Sequence, residues 1–194
     1  MSSKNKILEA IRKAKPDSIP PPQVPAFAPL GDDKLSFFQQ MVEVGKGKVD
    51  KTTDERQLEQ EIKKLFPEAE RIASTIPTIA GNYDLAEVKK PVDLKAIDVA
   101  IIKGQFGVAE NGAIWVTEAE CVHRVLPFIT QHLVILLNPK DIVWNMHEAY
   151  QRAQIDDTGF GVFIAGPSKT ADIEQSLVIG AQGPRSLTVI LLNA

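Results

Sequence analysis

Three runs decide what this chain can fold into. IDVAIIKG (97–104), HLVILLN (132–138) and RSLTVILLN (185–193) are apolar at almost every position rather than at every second one. A strand covered on one face alternates, whereas a strand covered on both faces does not. FGVFIAG (160–166) reads the same way, and GKVDKT and ERIAST read as shorter strands. Between the runs the apolar spacing changes to that of helices. DDKLSFFQQMVEV sets Leu35, Phe38 and Val42 on one face, with acids in its first turn. TTDERQLEQEIKKLF does the same with Leu58, Ile62 and Leu65, and Thr52 with Glu55 has the spacing of a capping box. DIVWNMHEAYQRAQI (141–155) carries Ile142, Met146, Ala149 and Ala153 at helical spacing, and TADIEQSLVIG reads as a short helix. Buried strands alternating with helices predict an α/β domain with a central, mostly parallel sheet flanked by helices. Residues 83–96, charged and interrupted by Pro91, fit no single element.

Residues 1–30 stand apart from this domain, which takes 31–194. Residues 3–14 form a predicted amphipathic helix, capped by Ser3, with Ile7, Leu8, Ile11 and Ala14 on one face. A helix this short is marginal alone and is expected to dock on something. The following PDSIPPPQVPAFAP holds six prolines in 16–29, so it is extended. It is either a linker or an arm that lays the first helix on a neighbouring subunit, giving a homo-oligomer. With 194 residues, 44% of them hydrophobic, the chain suits one core plus this appendage. A net charge of −3 argues against nucleic acid as a partner. The single Cys121 excludes an internal disulfide and any all-cysteine zinc or iron–sulfur site within these residues. His123, His132 and His147 show no metal-ligand spacing, so no metal is expected. MSSKNKILEAIRKAK lacks the apolar core of a signal peptide, and no run approaches the roughly 18–20 residues that span a bilayer. The expectation is a cytoplasmic protein with no membrane insertion.

Three stretches can carry chemistry. GPSKTADIE (166–174) follows a predicted strand and opens a predicted helix, where free N–H groups collect anions. Gly166, Ser168, Lys169 and Thr170 are its candidate ligand-binding residues, although Ser168 or Thr170 is equally able merely to cap. GAQGPRSL (180–187) offers Gly183 for close backbone approach and Arg185 as a bidentate clamp, against the plainer reading of a Gly-Pro turn with a solvated arginine. GVAENGAIWV (107–116) has an Asn-Gly turn, and Asn111 with Gly112 needs no function to explain it. Glu110 does, because an acid is poorly placed beside Val108 and Ala109 unless it faces solvent or a ligand. Lys103 is near it in sequence and is a candidate partner.

Together these stretches resemble the LUD domain family, of the lactate utilization protein C type. GPSKTADIEQSLVIGAQGPRSLTVILL is similar to the family's C-terminal signature, GVAENGAIWV to its Ala-Glu-Thr-Gly-Thr segment, and HRVLPFITQHLVILL to its Leu-Pro…His region, with Pro127 and His132 at matching places. Two departures stand out. Gln182 replaces the histidine of the family's His-Gly-Pro, and Asn111 and Ala113 replace the threonines around Gly112. The resemblance implies a fold like that of sugar-phosphate isomerases and CoA transferases. It also implies an accessory subunit of an L-lactate-oxidising system that binds a small anionic metabolite. Iron–sulfur clusters would sit in partner proteins and no cofactor in this chain. AENGAI further resembles the Ser-Glu-Asn-Gly motif of CoA transferases, which implies a second reading: a stand-alone enzyme with Glu110 as nucleophile or general base. A non-catalytic scaffold is the third. Glu110 is expected to share a pocket with Ser168 or Lys169.

Overall fold

The structure is a computed structural model. It describes residues 2–16, 19–20, 22–52, 55–155, 159–171 and 177–192. The apolar runs become the middle of a five-stranded parallel sheet, with β1 (Lys48–Thr52), β2 (Ile72–Ser74), β3 (Val99–Lys103), β6 (His132–Leu137) and β11 (Ser186–Leu192) in the order β1-β11-β6-β3-β2. Alternate residues of each central strand enter different cores. Ala100, Ile102, Leu133, Ile135, Leu187 and Val189 face one side, together with Phe38 and Val42 of α2 (Lys34–Val44). Val99, Ile101, Val134, Leu136 and Ile190 face the other, together with Leu58 and Ile62 of α3 (Glu55–Leu65). Two-sided burial is the physical reason these runs do not alternate.

A second sheet completes the domain, and the sequence reading did not separate it from the first. β4 (Phe106–Val108), β5 (Ala113–Thr117), β7 (Ile142–Val143) and β8 (Gly161–Ile164) pair in the order β7-β4-β5-β8. The expected hairpin is there, with Val108 opposite Ala113. Its tip lies on α2, where Gly112 is so close to Met41 and Val42 that a Cβ would meet the Val42 amide at 2.7 Å. Three short helices follow in chain order: α4 (Glu118–Cys121), α5 (Leu126–Ile129) and α6 (Met146–Arg152).

Three expectations are corrected. The helix predicted from 141 begins only at Met146, because Ile142 and Val143 pair with Gly107 and Val108. Of the helix predicted after Thr170, the described parts are strands: β9 (Lys169–Ala171) pairs antiparallel with β10 (Leu177–Ile179), and 172–176 lie outside the described residues. The first helix, α1 (Ser3–Ala14), is capped by Ser2 rather than Ser3. It does not dock within the chain, for Ile7, Leu8 and Ile11 are 59%, 41% and 53% exposed. Residues 83–96 resolve into two 3-10 turns, Leu85–Glu87 and Pro91–Ala96. Thr52 ends β1 and Glu55 opens α3, but residues 53 and 54 lie outside the described residues, so the capping box expected there is not described. The arm touches the body where Phe27 stacks on His147, with ring centroids 4.4 Å apart. Among the described residues no helix is long and apolar enough to cross a membrane.

Candidate functional site

Parallel strands in register bring their first residues to one edge. His132 and Ser186 are register partners, as are His132 and Val99. The polar residues that head the apolar runs therefore meet: Lys48 at the start of β1, Asp98 before β3, His132 at the start of β6, Arg185 before β11 and Ser186 at its start. Backbone hydrogen bonds stitch three loops onto this edge. The Ser168 amide donates to the Pro184 carbonyl at 2.9 Å, the Gly180 amide to Ser168 at 2.9 Å, and the Arg185 amide to Gln131 at 2.8 Å.

The result is a groove of three connected cavities. One of about 290 Å³ is lined by Phe128, Gly166, Ser168, Lys169, Gln182 and Gly183. A second of about 490 Å³ shares Phe128, Gln182 and Gly183 with it and adds Gln131 and Arg185. A third of about 680 Å³ shares Gln131 and Arg185 and adds Lys48, Phe66, Lys95, Asp98, His132 and Ser186. Two glycines shape the walls. Gly166, at φ +71°, lies so close to the Gly45 carbonyl that no side chain fits. Gly180, at φ +81°, lets the stem of Arg185 lie against the chain, since a Cβ there would meet Arg185 Cγ at 2.6 Å.

His132 is held in the groove by a hydrogen bond and a ring contact. Its Nδ1 is 2.8 Å from Ser186 Oγ, and its ring lies against Phe66 at a centroid distance of 4.9 Å. Burial pulls its pKa below the ordinary value of 6.5, the positive charge of Arg185 pulls the same way, and Asp98 opposes them. The Asp98 carboxylate is itself occupied, for its Oδ2 accepts from the amides of Glu70 and Arg71 at 2.9 Å each.

The candidate residues read from the sequence fall in four places. Gly166, Ser168, Lys169, Gly183 and Arg185 gather in the groove. Lys169 spends its charge locally, donating from Nζ to the Gly45 carbonyl behind α2 at 2.9 Å. Thr170 is on β9, where its hydroxyl donates to Val178 O at 3.4 Å. Glu110, Asn111 and Gly112 form the hairpin tip. Extending the β5–β8 register from Ile114 and Ile164 sets Gly112 opposite Gly166, so the tip is near the groove. The Glu110 side chain turns elsewhere: its Oε2 accepts from the Met146 amide at 2.8 Å, at the start of α6. Asn111 Oδ1 accepts from the Ala113 amide, as an Asx turn does. No cavity lining described here contains Glu110 with Ser168 or Lys169. Lys103 lies at the other end of β3, about 13 Å of strand away at ~3.3 Å per residue. It lines a cavity of about 460 Å³ there with Glu120, Asn138 and Asp141. His132, matched to a family motif but not taken as a site residue, lines the groove, and so do Ser186, Lys48, Lys95 and Gln131, which were not candidates. Their signal was present: a polar residue heads each strand of a sheet predicted to be parallel.

Among known proteins, a family model of the LUD domain matches residues 92–192, from the second 3-10 turn to the end of β11. The chain belongs to the LUD domain family. Lactate utilization protein C of an Exiguobacterium species is 28% identical to it over 134 residues, covering 64% of this chain and 58% of the relative. The protein of the same name from a Geobacillus species is 26% identical over 119 residues, covering 57% and 49%. An uncharacterized protein of Neisseria meningitidis serogroup B is 30% identical over 99 residues, covering 50% and 42%. The chain thus spans about half the length of the curated relatives it matches. A crystal structure of a DUF162 family protein from Deinococcus radiodurans superposes with a TM-score of 0.63 at 17% identity, over 82% of this chain and 96% of that one. The LUD domain match covers every strand of the groove except β1, which brings Lys48 from outside it.

Proposed function

We propose that this chain is a component of a lactate-utilization system that binds a small carboxylate at the amino edge of its parallel sheet. It would work beside iron–sulfur partner proteins that carry the electrons. The names of its relatives supply the system. One observation carries the ligand: the Arg185 guanidinium stands between two cavities with no hydrogen bond or ion pair to its side chain among the described residues. A guanidinium so placed suits a planar carboxylate, with the Ser168 hydroxyl and Gln182 close along the groove. We assign α1 and the proline arm to assembly with a second copy, because that helix leaves its apolar face uncovered.

The test is calorimetric titration of lactate and pyruvate into the full chain and into Arg185→Gln. A charge-assisted bidentate contact is worth about 1.5–3 kcal/mol, so the variant is expected to bind roughly 10- to 100-fold more weakly. Absence of binding by any 2-hydroxy or 2-oxo acid, or equal binding by the variant, overturns the ligand assignment. Deleting residues 1–30 is expected to lower the mass seen by light scattering by more than the deleted segment.

A further inference from the structure

We propose that the 680 Å³ cleft on the far side of Arg185 binds a ligand carrying a diphosphate group, held by Lys48, Lys95 and Arg185. This site is larger than the carboxylate site and makes no use of Ser168 or Gln182. Its volume falls in the roughly 300–1,000 Å³ range of sites for sizeable organic ligands, and a three-carbon acid leaves most of it empty.

Charge is the main argument. Lys48 precedes the core of β1, Lys95 sits on the 3-10 turn at Pro91–Ala96, and Arg185 precedes β11. Three separate elements thus aim cations at one cleft in a chain whose net charge is −3. None of the three side chains has a hydrogen bond or ion pair among the described residues. Ion pairs such as Arg124 with Glu118, Arg152 with Asp141 and Lys63 with Glu59 form elsewhere, whereas these three cations converge on one cleft without one. The acids lining the cleft are Asp98 and Glu68, and the Asp98 carboxylate already accepts two backbone amides. A single carboxylate ligand leaves two cations unmatched, whereas a diphosphate can engage all three. The walls supply neutral partners for its remaining oxygens in Gln131, Ser186 and His132. The apolar edge formed by Leu65 and Phe66 offers contact to an organic portion. This edge is the one opposite the strand carboxyl ends, where α/β sheets ordinarily gather anions on helix N-termini. Side-chain cations take the place of backbone dipoles here.

The experiment is calorimetric titration of inorganic pyrophosphate and of ADP into the full chain at low ionic strength. It is repeated with the double variant Lys48→Glu/Lys95→Glu. Both lysines are exposed and unpartnered, so the variant is expected to melt as the unaltered chain does. Pyrophosphate and ADP are expected to bind the unaltered chain, and to bind the double variant at least tenfold more weakly. Raising the salt is expected to weaken binding to the unaltered chain. No binding of either compound at millimolar concentration, or equal binding by the double variant, overturns the proposal. Lactate titrated into the same variant reads the carboxylate site separately, because neither lysine belongs to that site.

Discussion

The Glu110 carboxylate holds the first amide of α6, which is enough to explain an acid at the mouth of an apolar hairpin. Sequence made Glu110 conspicuous but could not show its partner, because Met146 is 36 residues away. Glu110→Gln keeps an oxygen acceptor and is expected to leave both stability and anion binding nearly unchanged. Glu110→Ala is expected to lower stability by about 0.5–1 kcal/mol, the lower part of the capping range because the group is exposed. Urea melts of the two variants check this, and a large loss of ligand binding in Glu110→Gln would restore a direct role for the carboxylate. Cys121 behaves oppositely. Burial, with Glu120 and Glu118 adding to it, pushes its thiol up to about 12, so the thiolate is scarce at neutral pH. It is expected to resist a thiol reagent in the folded chain and to react once the chain is unfolded. Rapid labelling without denaturant would contradict that environment.

Whole strands were legible because a sheet buried on both faces writes itself as unbroken apolar sequence. Short elements were less so. Lys-Thr-Ala and Leu-Val-Ile pair as β9 and β10, and three-residue strands have too little pattern to outweigh the helical spacing of the segment around them. Ile142 and Val143 were read into a helix because their bonds to Gly107 and Val108 are distant in sequence. The loop before β9 depends on tertiary contact in the same way. Gly166 and Lys169 both meet the Gly45 carbonyl, one by close approach and the other by a hydrogen bond of 2.9 Å. Gly166→Ala combines a left-handed backbone with a clash and is expected to cost about 1 kcal/mol or more. Lys169→Met removes only the hydrogen bond, on the exposed side, and is expected to cost less. Thermal melts rank the two, and a harmless Gly166→Ala would mean that the loop does not lie against α2.

At the scale of the molecule, parallel register turns a scattered set of polar residues into one edge. The family motifs located the loops around Ser168 and Gly183. They included His132 and Ser186 without showing that the two meet, and they did not point to Lys48 at the head of β1 or to Lys95 on the 3-10 turn. His132 gives this edge a readout. The groups facing it are Arg185 just before β11, Ser186 of β11, Asp98 ahead of β3, Lys48 of β1, Lys95 of the 3-10 turn and Glu68 after α3. Because its folded pKa is lowered, the neutral ring favours the folded state. That contribution is complete above the ordinary value of 6.5 and is lost as pH falls through the lowered one. An anion that offsets Arg185 and the two lysines must raise the same pKa, so binding takes up a proton and tightens as pH falls. The most direct measurement is an NMR titration of the imidazole protons, with His132 assigned by His132→Asn, run with and without pyrophosphate. The account predicts a midpoint below 6.5 for the free chain that rises when pyrophosphate is present. A His132 midpoint that pyrophosphate leaves in place, while the anion demonstrably binds, would contradict the claim that this edge is where anions are held.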